Sequence, residues 1–162
     1  MTQPMHDDAF LAGGGEMGAL IRAYDWDNSP VGPPAQWSQA LKVAIRLMLS
    51  SGHPMFIWWG PQLIQFYNDA YSRSIGPERH LSALGQEGRE CWQEIWPLIG
   101  HQIEQVMEGR GYTWHENHLV PITRYGTRQD VYWTYSYSPI DDPNAENGIG
   151  GVLVVCTETT EQ

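Results

Sequence analysis

The spacing of apolar residues changes character near residue 53. Ahead of that point Met17, Leu20, Ile21 and Tyr24 recur at helical intervals, as do Leu41, Ala44, Ile45, Met48 and Leu49. Two amphipathic helices follow, one over residues 16–24 and one starting near Ser38 and stopping at Ser50-Ser51-Gly52. The segment Asn28-Ser29-Pro30-Val31-Gly32-Pro33-Pro34 separates them, because its three prolines remove amide donors and push their neighbours toward extended geometry. Met1 to Gly15 has no period and ends in three glycines, so it reads as frayed chain. Residues 1–53 therefore form a flexible N-terminus and helical arm. Its apolar stripes need a surface, either the chain's own sheet or a second copy.

Beyond His53-Pro54 the period shortens. Met55 to Trp59 and Leu63 to Tyr67 are strand-like and flank the turn signal Gly60-Pro61. Asn68-Asp69 can cap a short helix through Ser74, and only small helical turns fit between Gly76 and Gly88. Trp92 to Met107 reads as the longest helix, stopped by Gly109, with Pro97 starting a new first turn or kinking it. Extended segments over residues 112–123, 131–140 and 149–157 complete the chain, joined by Tyr125-Gly126 and by Asp141-Asp142-Pro143-Asn144. This order predicts an α+β domain over residues 54–162: a five-stranded antiparallel sheet with helices on one face, preceded by the helical arm.

On the penultimate strand Val131, Trp133, Tyr135 and Tyr137 alternate with Tyr132, Thr134, Ser136 and Ser138. One face is ringed, the other hydroxylated, and the ringed face should turn inward. The same face of the last strand carries Val152, Val154 and Cys156, and the inner stripe of the long helix, Trp92, Ile95 and Ile99, closes the opposite wall. Those residues outline either a solid core or a pocket for a small, partly aromatic ligand. Trp114 is assigned to the same interior, with Glu116 beside it as a charged group facing a ligand; an exposed strand edge is the competing place for Glu116.

The 162 residues suffice for one domain with a real core, and 41% hydrophobic content with eight Trp and eight Tyr suits an aromatic interior. A formal charge of −10 opposes nucleic acid and anionic membranes. No window approaches the about 20 apolar residues of a membrane span, and the first residues lack a basic-then-apolar leader, so a cytoplasmic location is expected. Cys91 and Cys156 lie in different predicted elements and are expected to be reduced core thiols. Catalytic signatures are missing: no Gly-x-Ser-x-Gly elbow, no Walker loop, no Gly-x-Gly-x-x-Gly. Gly13-Gly14-Gly15 and Gly148 to Gly151 read as flexible connectors, and the carboxylates of Asp7-Asp8, Asp141-Asp142 and the tail as solvated. His115 and His118 do not make a metal pair, since an odd offset on a regular strand sends the rings to opposite faces. His6, His53 and His80 are isolated, and no zinc-site spacing occurs.

Several short motifs, in order, resemble one family. They are Gly15-Glu16-Met17-Gly18, Pro33-Pro34-x-x-Trp37, Trp59-Gly60-Pro61, Tyr67-Asn68-Asp69-Ala70-Tyr71, Trp92-x-Glu94-Ile95-Trp96, Thr113-Trp114-x-Glu116 and Thr134-Tyr135-Ser136-Tyr137-Ser138-Pro139-Ile140. Together they resemble the PAS domains found at the N-terminus of bacterial sensor histidine kinases. The last strand turns polar at Glu158-Thr159-Thr160, similar to the family's closing Asp-x-Thr with Glu in place of Asp. The resemblance implies a sensory, non-enzymatic domain that detects a small ligand or a partner and relays its state through Glu158 and Thr160 to an output module such as a histidine kinase. It also implies a homodimer paired through the N-terminal helices.

Two cofactors of that family are weighed on residues. Gly88-Arg89-Glu90-Cys91 resembles the start of the light-oxygen-voltage motif, but the Asn before the Cys and the Arg after it are absent, and Cys156 stands where a flavin binder offers an amide. Haem ligation through His101 fails on geometry: at about 100° per residue it falls opposite the Trp92, Ile95, Ile99, Ile103, Val106 stripe. No cofactor is therefore expected. Two other readings stay open, a small cavity enzyme using Glu116 or His118 as its acid or base, and a structural dimerisation module with a filled core.

Overall fold

A computed structural model describes residues 9–160 of the chain. The two predicted arm helices are present as α1 (Gly15–Ala23) and α2 (Gln39–Leu49). Ser38 caps α2, its hydroxyl accepting from the Leu41 amide at 3.2 Å. The hairpin β1 (Met55–Trp59) and β2 (Ile64–Tyr67) follows, then three short helices, α3 (Asp69–Ser72), α4 (Pro77–Ala83) and α5 (Gly88–Cys91). Asn68 caps α3 through its side-chain oxygen, which accepts from the Tyr71 amide at 3.0 Å. The long helix α6 spans Trp96–Met107 and begins four residues later than its apolar stripe, because Pro97 takes the first turn and Trp92 to Ile95 form a separate turn after α5.

The extended stretch expected over residues 112–123 is divided. β3 (Thr113–Leu119) ends ahead of Pro121, and β4 (Ile122–Arg124) folds onto β5 (Thr127–Gln129) as a separate two-stranded hairpin. β6 (Tyr132–Asp141) and β7 (Ile149–Glu158) then complete an antiparallel five-stranded sheet in the order β2-β1-β7-β6-β3.

Alternation sorts the sheet into two faces. Phe56, Trp58, Trp133, Tyr135, Tyr137, Val154 and Cys156 point to one, where Ile95 and Ile99 pack from the helix side. Ile57 and Phe66, paired across β1 and β2, point to the other. Around β1 and β2 that outer face is covered by the chain's own arm. Trp26 stacks on Phe66 with ring centroids 4.9 Å apart, and Trp37 meets both rings edge-on at 5.3 and 5.5 Å. The α2 stripe Leu41, Ala44, Ile45, Met48 and Leu49 is buried with it. The α2 stripe is therefore used on the chain's own sheet; of the α1 stripe, Met17 and Ile21 are buried while Leu20 and Tyr24 stay exposed, as do Val43 and Leu47 of α2.

The glycine-rich start of the arm is not a flexible connector. Gly13, Gly14 and Gly15 all have positive φ, and a side chain at Gly15 would collide with Asp69, while one at Gly18 would collide with the Gly13 carbonyl. That clearance lets the Asp69 carboxylate accept from the Met17 amide at 2.7 Å and the Glu16 amide at 3.1 Å, capping α1 from the core. Arg22 and Arg46 hold the preceding turn by donating to the carbonyls of Leu11, Gly13, Phe10 and Ala12. The expected fraying thus fails for residues 9–15; residues 1–8, with Asp7, Asp8 and His6, and residues 161–162 of the acidic tail lie outside the described residues. Gly150 and Gly151 are likewise strand residues, packed so closely under Trp59 and the Trp58 carbonyl that a Cβ would clash. Asp142 is buried rather than solvated, its Oδ1 accepting from the Asn144 amide at 3.0 Å in the β6–β7 turn.

Candidate functional site

Between the inner sheet face and α6 lies an apolar cavity of about 50 Å³. Its sheet wall is Phe56 and Trp58 from β1, Trp133, Tyr135 and Tyr137 from β6, and Val154 and Cys156 from β7. Trp92, Ile95 and Ile99 close the helical side, Tyr71 comes from α3, and Val120 and Ile122 come from the β4–β5 hairpin and its approach. None of the described lining residues is a carboxylate or an imidazole.

Eight of the nine residues assigned to a pocket from sequence line this cavity: Trp92, Ile95, Ile99, Trp133, Tyr135, Tyr137, Val154 and Cys156. Trp114 does not. It is 57% exposed on the outward face of β3, where its indole donates to Glu116 at 3.3 Å. Its in-register partner Ser136 belongs to the hydroxylated face of β6, which decides the direction. Glu116 is exposed too, and neither it nor His118 touches the cavity.

The rings hold one another in place. Tyr137 meets Trp58 edge-on at 5.4 Å and Tyr135 at 5.0 Å, while Phe56 packs against Trp58 and Tyr71, each at 4.9 Å. Polar tips are satisfied sideways. The Trp58 indole donates to Gln65 at 3.1 Å, and Gln65 donates onward to the Ala83 carbonyl at 2.8 Å. Tyr135 donates its hydroxyl to Gln102 of α6 at 3.0 Å. The indole nitrogen of the lining residue Trp92, in contrast, is buried and has no partner among the described residues. Burial pushes the Tyr71 and Tyr137 hydroxyls well above the ordinary tyrosine value and the Cys156 thiol up to about 12, so all three stay neutral.

The other predicted chemistry lies outside the cavity. Cys91 is buried at the end of α5 beneath Arg79, and its thiol is raised by burial. Arg79 itself was not singled out from sequence. It pairs with Glu94, donates to the Cys91 carbonyl and lies over the Trp92 ring at 4.2 Å, bracing the first wall of the cavity. His101 is exposed on α6, as its place opposite the stripe requires. Cys91 does not line the cavity.

At the exit of β7, Glu158 forms a two-point pair with Arg124 of β4, at 2.9 and 2.8 Å. Arg124 also donates to the Ser74 carbonyl at 2.6 Å. Thr160 accepts from the Tyr132 amide at 3.2 Å and donates to Glu158 at 2.8 Å. The Arg124 bond holds the Glu158 carboxyl below its ordinary value, with Thr160 adding to the effect. The last strand is thereby fastened to the hairpin that supplies Ile122 to the cavity. Arg124 and Gln102 were missed because each signal is one long-range contact with no local period.

The two histidines of β3 correct the sequence parity. Across this stretch β3 advances three residues, His115 to His118, while β6 advances two, Tyr135 to Trp133. The extra residue is taken up by Asn117, with φ 47 and an amide donating to Thr134 Oγ1 at 3.1 Å. Both histidines then face the side of Tyr135 and Trp133. Their rings lie 4.8 Å apart, and His115 stacks on Tyr135 at 5.1 Å. Burial, followed by the charges of His118 and His101, lowers the His115 pKa.

No family model matches the sequence, and no curated protein matches it. Solved structures do. The PAS domain of a protein from Colwellia psychrerythraea superposes with a TM-score of 0.55 at 14% identity, covering 75% of this chain and 98% of that one. The fold is that of PAS domains. A sensory box sensor histidine kinase from Vibrio cholerae gives a TM-score of 0.50 at 15% identity, over 74% of this chain and 90% of that structure. An RNA-binding light-oxygen-voltage receptor gives 0.52 at 14% identity, over 74% of this chain and 32% of the receptor. The PAS-fold core of this chain, β1 to β7, is thus joined to an arm that packs on the outer face around β1 and β2. No helix among the described residues is long and apolar enough to cross a membrane.

Proposed function

We propose that this chain is a sensory PAS module whose inner cavity takes up a small apolar molecule and whose β7 exit passes the change to an output module, a histidine kinase being the candidate by resemblance. The observation that carries the reading is the pairing of an apolar cavity with a hairpin that both roofs it and grips the exit through Arg124 and Glu158. Binding pockets for larger ligands run to about 300–1,000 Å³, and an apolar cavity of about 150 Å³ accepts benzene. At about 50 Å³ the present cavity suits a molecule of a few heavy atoms, and a larger guest must lift β4–β5. Lifting that hairpin moves Arg124, and Glu158 and Thr160 with it. An allosteric element needs such a two-ended contact.

On this reading the module senses rather than catalyses, and the enzyme alternative is disfavoured by the exposure of Glu116 and by the absence of His118 from the cavity. Arm and core, divided near residue 53, act as platform and sensor. The arm's exposed Leu20, Tyr24, Val43 and Leu47 are the surface a second copy would cover in a homodimer. Hydrogen exchange with and without benzene as the probe tests the relay. Protection is expected to change both over residues 120–129 and over residues 157–160 in the wild type, but only over the first segment in Arg124→Gln. An exit segment unaffected by benzene in the wild type contradicts the relay.

A further inference from the structure

The His115–His118 pair has no part in the cavity reading, and the Asn117 bulge is the feature that builds it. We propose that these two imidazoles form a binding site for a divalent first-row transition-metal ion, of the class that prefers neutral nitrogen ligands.

Geometry supports a shared ion. With a metal–nitrogen bond of about 2.1 Å and a ring centre about 1.1 Å behind the nitrogen, an ion sits about 3.2 Å from each centroid. With one nitrogen of each ring turned toward a common point, a centroid separation of 4.8 Å corresponds to an N–metal–N angle of about 97°, between the square-planar and tetrahedral values. A regular strand cannot supply this pair from an odd offset. Three residues of β3 set against two of β6 bring both rings to one face.

The site also has an unmet need. His115 Nδ1 is enclosed and has no hydrogen-bond partner among the described residues, an expense that a bound ion removes. Stacking on Tyr135 fixes the His115 ring, and Tyr135 is fixed in turn through Gln102 of α6. No group of three His, Cys, Asp or Glu side chains suited to a metal occurs among the described residues. Water or another small ligand therefore completes the coordination, and the site is of the exchangeable kind rather than a structural cage. Because Tyr135 is a wall of the cavity, an ion on His115 stiffens that wall, yet the site and the cavity reading stand or fall separately.

Copper(II) chloride is the probe, being the tightest binder of its row at nitrogen ligands. The untagged chain is titrated in excess glycine, which masks weaker sites, and read by electron paramagnetic resonance and by thermal unfolding. One copper per chain with hyperfine coupling to two imidazole nitrogens is expected, together with a rise in Tm. His115→Gln or His118→Gln should each weaken binding by about tenfold or more and remove the Tm rise. The controls His53→Gln and His80→Gln should keep both. Two-imidazole coupling and the Tm rise persisting in the double variant H115Q/H118Q would overturn the proposal. So would wild-type protein that shows no imidazole-bound copper under the same conditions. If His115→Gln unfolds, His118→Gln carries the same comparison.

Discussion

Rings pack against both faces of the sheet, but the two faces use them differently. Outside, Trp26, Trp37 and Phe66 interlock, Ile57 and Phe66 are fully buried, and arm and sheet form a solid layer. Inside, Trp58 and Tyr137 meet edge-on, Tyr135 tilts against Tyr137 and reaches α6 through Gln102, and a small cavity is left beside Ile95 and Ile99. The difference lies in what meets the rings. Outside, two more indoles arrive from a neighbouring segment and fill the gaps; inside, branched aliphatics at Ile95, Ile99 and Ile122 meet rings whose polar tips are held sideways by Gln65 and Gln102. On the proposed reading the filled face serves as platform, and the face held at its rim admits a guest.

The largest effect should come from breaking the platform. Trp26→Ala removes a ring that stacks on Phe66 and an indole that donates to the Ile21 carbonyl at 2.8 Å, so urea unfolding should show a loss of about 3–5 kcal/mol. A loss well under 1 kcal/mol would mean that the arm is loosely held, erasing the contrast between faces.

The fastening of the exit is worth less, because the pair is partly exposed, with side-chain accessibilities of 11% for Arg124 and 28% for Glu158. Arg124→Gln should cost about 1–2 kcal/mol, and the cycle with Glu158→Gln should recover most of it as coupling. Its pH dependence has a definite sign. The folded Glu158 carboxyl titrates below its ordinary 4.5, so the contribution is fully present above that value and is lost as pH falls through the lower folded value. Stability profiles of the wild type and Glu158→Gln should therefore converge in acid below about pH 4.5 and stay apart above it. Parallel profiles would remove the ion pair from the account.

Smallest of all should be Cys156→Val, which adds a little volume beside the cavity and exchanges one small apolar group for another, changing stability by less than about 1.5 kcal/mol. A comparable enlargement in the filled outer layer, Ala44→Val on α2, should cost more. Equal costs on both faces would argue that the inside is packed as tightly as the outside.

Much of this contrast was legible in the residues themselves. The alternation of Trp133, Tyr135 and Tyr137 with hydroxylated neighbours gave the inner face, Ser38 gave the start of α2, and Pro97 gave the first turn of α6. These signals are local, with a period or a cap inside a few residues. What escaped depends on contacts between distant segments. The Asn117 bulge reverses parity for His118 and shows no distinctive composition, and Trp114 was turned inward for want of its partner on β6. The clearance at Gly15 has meaning only once Asp69 stands beside it, and Arg124 only once Glu158 does.

Occupancy of the inner face is the most direct test of the central claim. Methyl-labelled protein is followed by nuclear magnetic resonance as xenon pressure rises. Saturable shifts are expected at Ile95, Ile99, Ile122 and Val154, with Ile57 and Ile45 on the arm side unmoved. Shifts of the same size at both sets, or none at the cavity methyls, would contradict the division into a filled platform and a receptive interior.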